Sequence, residues 1–221
     1  GETSFTASIT SGDQVASGVS VAFDTEGFTD AYAKYKVSVN GQVIKDLTVA
    51  QLKEGVGPFA IGANETARVT LEYDNPAYAL KGFGKDTTVK SVTVKAEKLS
   101  TPAVIVDPSA VEAGKNVTVK GTGFAPESTV TLTLHSEPVE VGTATTDANG
   151  DFTAEVTVPA DTEAGDHTVV AESTTPAVTA SAPLTVTAPP APAEDPSAAP
   201  SVQPSAAPAP APEQGGKGGL A

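Results

Sequence analysis

Val117-Thr118-Val119-Lys120-Gly121-Thr122-Gly123-Phe124-Ala125-Pro126, followed after three residues by Val130-Thr131-Leu132-Thr133-Leu134, is the stretch that settles the fold class. Valine and leucine alternate with threonine and lysine at period two, the spacing that sends successive side chains to opposite faces of a strand. A helix would need its apolar residues three and four apart. Glycine and proline between the two runs mark a turn.

Working outward from that stretch, strands are predicted at 103–107, 115–121, 129–135, 139–146, 152–158, 167–173 and 178–187. Asp107-Pro108, Ala113-Gly114, Ala125-Pro126, Asn149-Gly150, Pro159-Ala160-Asp161 and Thr175-Pro176 supply the turns. Seven short strands so spaced predict an immunoglobulin-like sandwich over 101–187. Its expected core is Val117, Val119, Val130, Leu132, Leu134, Phe152, Val156, Val158, Val169, Leu184 and Val186.

The same alternation fills residues 1–100. Phe5, Ala7 and Ile9, then Val19, Val21 and Phe23, then Ala33, Tyr35, Val37 and Val39 each occupy one strand face. Asn40-Gly41 tolerates the positive φ of a type I′ hairpin turn, so Gln42–Leu47 should return beside Tyr35–Val39. Thr48-Val49-Ala50-Gln51 has the spacing of a capping box, and 49–54 is predicted as one short helix closed by Gly55. Strands follow at 59–61, 67–73 and 88–98, the last with a β-bulge between Val89 and Val92. The chain is therefore expected to be all-β: two tandem β-sandwich (Ig-like) domains over 1–100 and 101–187, then a disordered Pro/Ala-rich tail over 188–221. Thr101-Pro102 is the hinge, and Lys98–Pro102 is too short to let the domains tumble freely, which predicts an end-to-end arrangement.

Four separated motifs carry a resemblance. They are the opening stretch through Pro126, Val130–Ser136, Thr146-Asp147-Ala148-Asn149-Gly150-Asp151-Phe152, and Ala164-Gly165-Asp166-His167-Thr168. Together they resemble the Ig-like repeat of actinobacterial cell-wall surface proteins, over about residues 101–187. Residues 1–100 carry no such likeness. From Ala188 proline, alanine and serine take over, with Pro-Ser-Ala-Ala-Pro at 196–200 and again at 204–208. Such a composition has too little apolar surface to offset the entropy of ordering, and its prolines stiffen it as a spacer. Gly218-Gly219-Leu220-Ala221 resembles the opening of a Leu-Ala-x-Thr-Gly sorting signal, with Leu220 and Ala221 as its remnant. That resemblance implies a sortase, covalent attachment to peptidoglycan and an extracellular, cell-wall location. Gly1-Glu2-Thr3-Ser4 has no basic or apolar leader pattern, which fits a mature chain.

Charge narrows the partners. The 221 residues carry a formal net charge of −14, which repels nucleic acid and anionic lipid. Residues 1–100 hold 12 acidic and 10 basic side chains, whereas 101–187 hold 12 and 2, so the halves are not copies of one module. All four Tyr and five of seven Phe precede residue 100, which assigns recognition to the first domain. Cys, Met and Trp are absent together, removing the side chains most easily oxidised, as suits an exterior location. No run approaches the ~20 apolar residues of a membrane-spanning helix.

Catalysis needs a nucleophile beside a base, a carboxylate pair in a cleft, or a metal. The two histidines, His135 and His167, fall at strand ends without an adjacent nucleophile pattern, so the expectation is a non-enzyme with no catalytic residues and no cofactor. Asp147, Asn149 and Asp151 have the alternating oxygens of a calcium loop. As an EF-hand the run fails at its sixth position, Phe152 instead of Gly, and its twelfth, Val158 instead of Glu, so it reads as a hairpin turn before a calcium site. Asp24, Glu26 and Asp30 form a second acidic loop. Lys34, Lys36 and Lys120 fall on faces opposite the apolar stripes, which argues against isopeptide crosslinks. The binding candidate is the long connection 74–85, where Tyr78 and Phe83 offer stacking faces to a sugar ring or peptide, with Lys81 and Lys85 beside them. The alternative is that both rings cap the end of the first sandwich. The function expected is adhesion or binding to a host or environmental glycan or protein at the cell surface. A structural spacer or surface-layer component, and an accessory piece of a larger extracellular enzyme, stand as alternatives.

Overall fold

The period-two pattern is realised strand by strand in the computed structural model, which describes residues 4–27, 34–73, 88–191 and 207–209. The first half contains β1 Ser4–Thr10, β2 Val15–Glu26, β3 Lys34–Val39, β4 Gln42–Thr48, the helix α1 Val49–Glu54, β5 Val56–Ile61, β6 Thr66–Tyr73, β7 Thr88–Lys95 and β8 Lys98–Ser100. The second contains β9 Ala103–Asp107, β10 Ala110–Glu112, β11 Asn116–Thr122, β12 Thr129–His135, β13 Val139–Thr145, β14 Phe152–Thr157, β15 Gly165–Thr174 and β16 Ala177–Thr187. The protein is all-β, with β-sandwich packing throughout its folded part.

In the first sandwich one sheet runs β1-β6-β3-β4 and the other β5-β2-β7, with β8 continuing on β2. Asn40 and Gly41 take the positive φ values, 50° and 81°, that a type I′ turn requires, and the hairpin pairs Val39 with Gln42. Thr48 Oγ1 accepts from Gln51 N while the Gln51 side chain accepts from Thr48 N, the reciprocal capping box. Leu52 anchors α1 in the core at 0% exposure. Asp24 pairs with Ser91 and Thr25 with Val89, leaving Lys90 as the extra residue of the predicted bulge.

The single strand expected over 88–98 is two. Gly18 adopts φ +61°, which kinks β2, and the partner strand cannot follow the kink. It breaks at Ala96-Glu97, where Glu97 N donates to Ser17 O at 3.0 Å, and β8 then pairs with Val15–Ser17.

In the second sandwich β10-β16-β15-β12-β13 faces β14-β11-β9. All seven expected strands are present within two residues, and β10, pairing parallel with β16, is additional. Every expected core residue is buried, and Val104, Phe124, Ala125, Ala171, Val178 and Ala182 join them. Full burial of each Val, Leu or Phe contributes about 1.5–3 kcal/mol. Phe124 meets Phe152 edge to face at 5.4 Å, over Gly121, where a Cβ would overlap the Phe152 ring.

Residues 1–189 form one compact unit, and 190–221 lie outside it. Most of the predicted Pro/Ala tail, including Leu220 and Ala221, lies outside the described residues.

Candidate functional site

Tyr78, Lys81, Phe83 and Lys85, the sequence-predicted binding residues, also lie outside the described residues. The strand that leads to them is in place. β6 ends at Tyr73, half-buried, with its ring edge-on to Tyr35 at 5.7 Å and 69°. Aromatic residues thus line the sheet where the 74–85 connection begins.

The Asp147-Ala148-Asn149-Gly150-Asp151 run is the turn between β13 and β14, which belong to opposite sheets, so it crosses the sandwich and is not the hairpin expected from Asn149-Gly150. Asp147 Oδ1 accepts from Asn149 N at 2.8 Å and from Asp151 N at 3.0 Å, while Asp147 N donates to Asp151 O at 2.8 Å. The bond from the Asp151 N–H, then that from Asn149, holds the Asp147 carboxyl below its ordinary range. One oxygen of the first would-be ligand is thus committed to closing the turn. The Asn149 carbonyl is committed too, accepting from Lys98 Nζ at 2.8 Å. Among the described residues no three His, Asp or Glu side chains gather as a metal site. Asp24 and Glu26 face lysines instead, Lys53 at 4.0 Å and Lys90 at 3.7 Å. Asp30 is outside the described residues. Lys34 and Lys120 are exposed and Lys36 half-exposed.

His167 sits in a groove of about 420 Å³ at one end of the second sandwich, lined by Leu134, Ser136, Val139, Pro159 and Glu163 among others. Its Nε2 lies 2.8 Å from the Glu163 carbonyl, which can only accept, so Nε2 carries a proton. In the neutral ring Nδ1 is then an acceptor, and the Ser136 hydroxyl, 3.0 Å away, donates to it. The imidazole therefore ties the turn after β12 to β15. His135 ends β12 half-buried, opposite Thr168. Both histidines lie at strand ends, as the sequence predicts, whereas the Ser136–His167 pair has no signal in it. Their proximity follows from the β12–β15 register, which one sequence does not disclose.

No protein-family model and no curated protein matches the chain. Among solved structures it is similar to macromomycin, at 22% identity over 39% of this chain and 99% of that one, with a TM-score of 0.32. It is similar to the Yersinia pseudotuberculosis adhesin InvE at 14% identity, covering 83% of this chain and 58% of that one, TM-score 0.32. A Faecalibacterium prausnitzii β-glucuronidase gives 14% identity, 83% and 36% coverage, and a TM-score of 0.28. The chain thus spans about three-fifths of the adhesin and a third of the glucuronidase.

Proposed function

We propose that this chain is the binding head of a secreted, non-enzymatic bacterial surface protein, carried on a Pro/Ala stalk that is joined to the cell wall. The observation that carries the reading is the change at the end of β16. Ordered pairing runs to Thr187, and Ala188-Pro189-Pro190 opens a run in which 26 of 34 residues are Pro, Ala, Ser or Gly. A folded head followed by a spacer that cannot form a core is an arrangement for holding the head at a distance. The resemblance of Leu220-Ala221 to a sorting signal supports a covalent link to peptidoglycan. Recognition is assigned to the first sandwich, with its aromatic residues and near-balanced charge, and to Tyr78, Lys81, Phe83 and Lys85 within it. The partner class is a glycan or a protein surface.

The test presents the whole chain to host glycans, matrix proteins and wall polymers. Binding is expected, and Tyr78→Ala or Phe83→Ala should weaken it about tenfold or more, as loss of an aromatic anchor does. Binding unaffected by either change would move the site elsewhere. No binding to any of the three classes would favour the spacer reading.

A further inference from the structure

We infer that the two sandwiches are latched into one cooperative unit by the turn Gly62–Glu65, and that position 62 is glycine so that the latch can close. The coupling starts at the head of β2. Val15, Ala16 and Ser17 are consecutive in a strand, yet all three are buried, at 0%, 3% and 4% exposure. A strand with one face in water cannot do this. Period two resolves it: Ala16 packs in the core of the first sandwich and Val15 in the core of the second. One strand therefore serves both cores. Ala60, near the end of β5, and Ala63, in the β5–β6 turn, pack against the second core as well.

Polar groups complete the latch. Glu65 divides its carboxylate, with Oε1 accepting from Gly62 N at 3.3 Å inside its own turn and Oε2 accepting from Ala177 N at 3.1 Å, at the head of β16. Gly62 is buried and does not adopt a left-handed φ, so its backbone conformation would admit any residue. Space would not: a Cβ there would overlap the Ala177 carbonyl oxygen. Ser100 Oγ donates to Gly123 O at 2.9 Å and Lys98 Nζ to Asn149 O at 2.8 Å, so the 62–65 turn and β8 of the first sandwich engage three segments of the second. A two-residue connection tethers domains without coupling them. Shared core residues couple them only while the latch holds the two faces together, because unfolding one side then opens the other to water.

The chain carries its own reporters. All four tyrosines precede residue 100, so tyrosine fluorescence follows the first sandwich, while amide exchange in β11 and β15 follows the second. Val37 is fully buried in the first core and takes no part in the junction bonds. Val37→Ala in the whole chain should move the tyrosine transition and the protection of β11 and β15 to the same lower urea concentration. Adding Gly62→Val should release the second sandwich from that shift and speed exchange of the Ala177 amide. Protection of β11 and β15 unmoved by Val37→Ala would overturn the inference, as would a shift still shared with Gly62→Val present. If those variants do not fold, Glu65→Ala against Glu65→Gln decides: Ala177 protection should fall in the first, whereas Gln, whose one amide oxygen can accept from Ala177 N in place of Gly62 N, should retain part of it. Equal protection in both would contradict the latch.

Discussion

Asp147 closes its turn with an ionised carboxylate, and the main-chain N–H groups of Asp151 and Asn149 that hold it ionised make a pH prediction. Its folded pKa lies below the ~3.9 of an unstructured aspartate. The resulting stability is present in full above that unfolded value and is lost as pH falls through the folded one. Asp147→Asn should therefore be less stable than the parent at pH 6, and in urea titrations the gap should narrow progressively as pH falls below about 4. A difference independent of pH would assign the effect to something other than charge. Two apolar changes test the second core. Leu132→Ala, at a site with 0% exposure, should cost about 2–5 kcal/mol. Gly121→Ala should cost about 1–3 kcal/mol because Phe152 must move to admit the methyl group. Urea midpoints measure both, and a neutral Gly121→Ala would mean that the Phe124–Phe152 pair repacks without strain.

Elements were legible in the sequence wherever local chemistry determined them. Alternation located the strands, Asn40-Gly41 gave the hairpin turn, Thr48 and Gln51 gave the helix start, and the phase slip after Val89 gave the bulge. Thr48→Ala removes one partner of that capping box and should cost about 0.5–2 kcal/mol, with faster exchange at the Gln51 amide. Thr48→Ser should keep most of it. What escaped the sequence depended on partners far along the chain. The break between β7 and β8 follows from Gly18 on another strand, and β10 exists because β16 offers an edge to it. Val15-Ala16-Ser17 shows no alternation of polarity because both of its faces are covered, one by each sandwich. A pattern rule that assumes one wet face has no signal to read there. The candidate site was legible only as residue types: Asp147 as a turn residue and His167 as a strand-end residue are where sequence placed them, while the Ser136 and Glu163 partners of His167 are set by register and loop path.

At the scale of the molecule, an all-β folded part is followed by a proline-rich run that starts where the last strand stops. The head's acidity is unevenly spread, with most of its net negative charge in the second sandwich. Under the proposed function, that charge repels other anionic surfaces from the second sandwich and leaves the aromatic-rich first sandwich to make the contact. The most direct measurement is made on cells that produce the protein. Purified walls, washed in hot detergent and digested with a muramidase, should release chains bearing a peptidoglycan fragment on the C-terminal side of Leu220-Ala221, identified by mass spectrometry, with antibody to residues 1–100 labelling intact cells beforehand. Chains recovered wholly from the cytosolic fraction, with no wall fragment attached and no labelling of intact cells, would contradict the account.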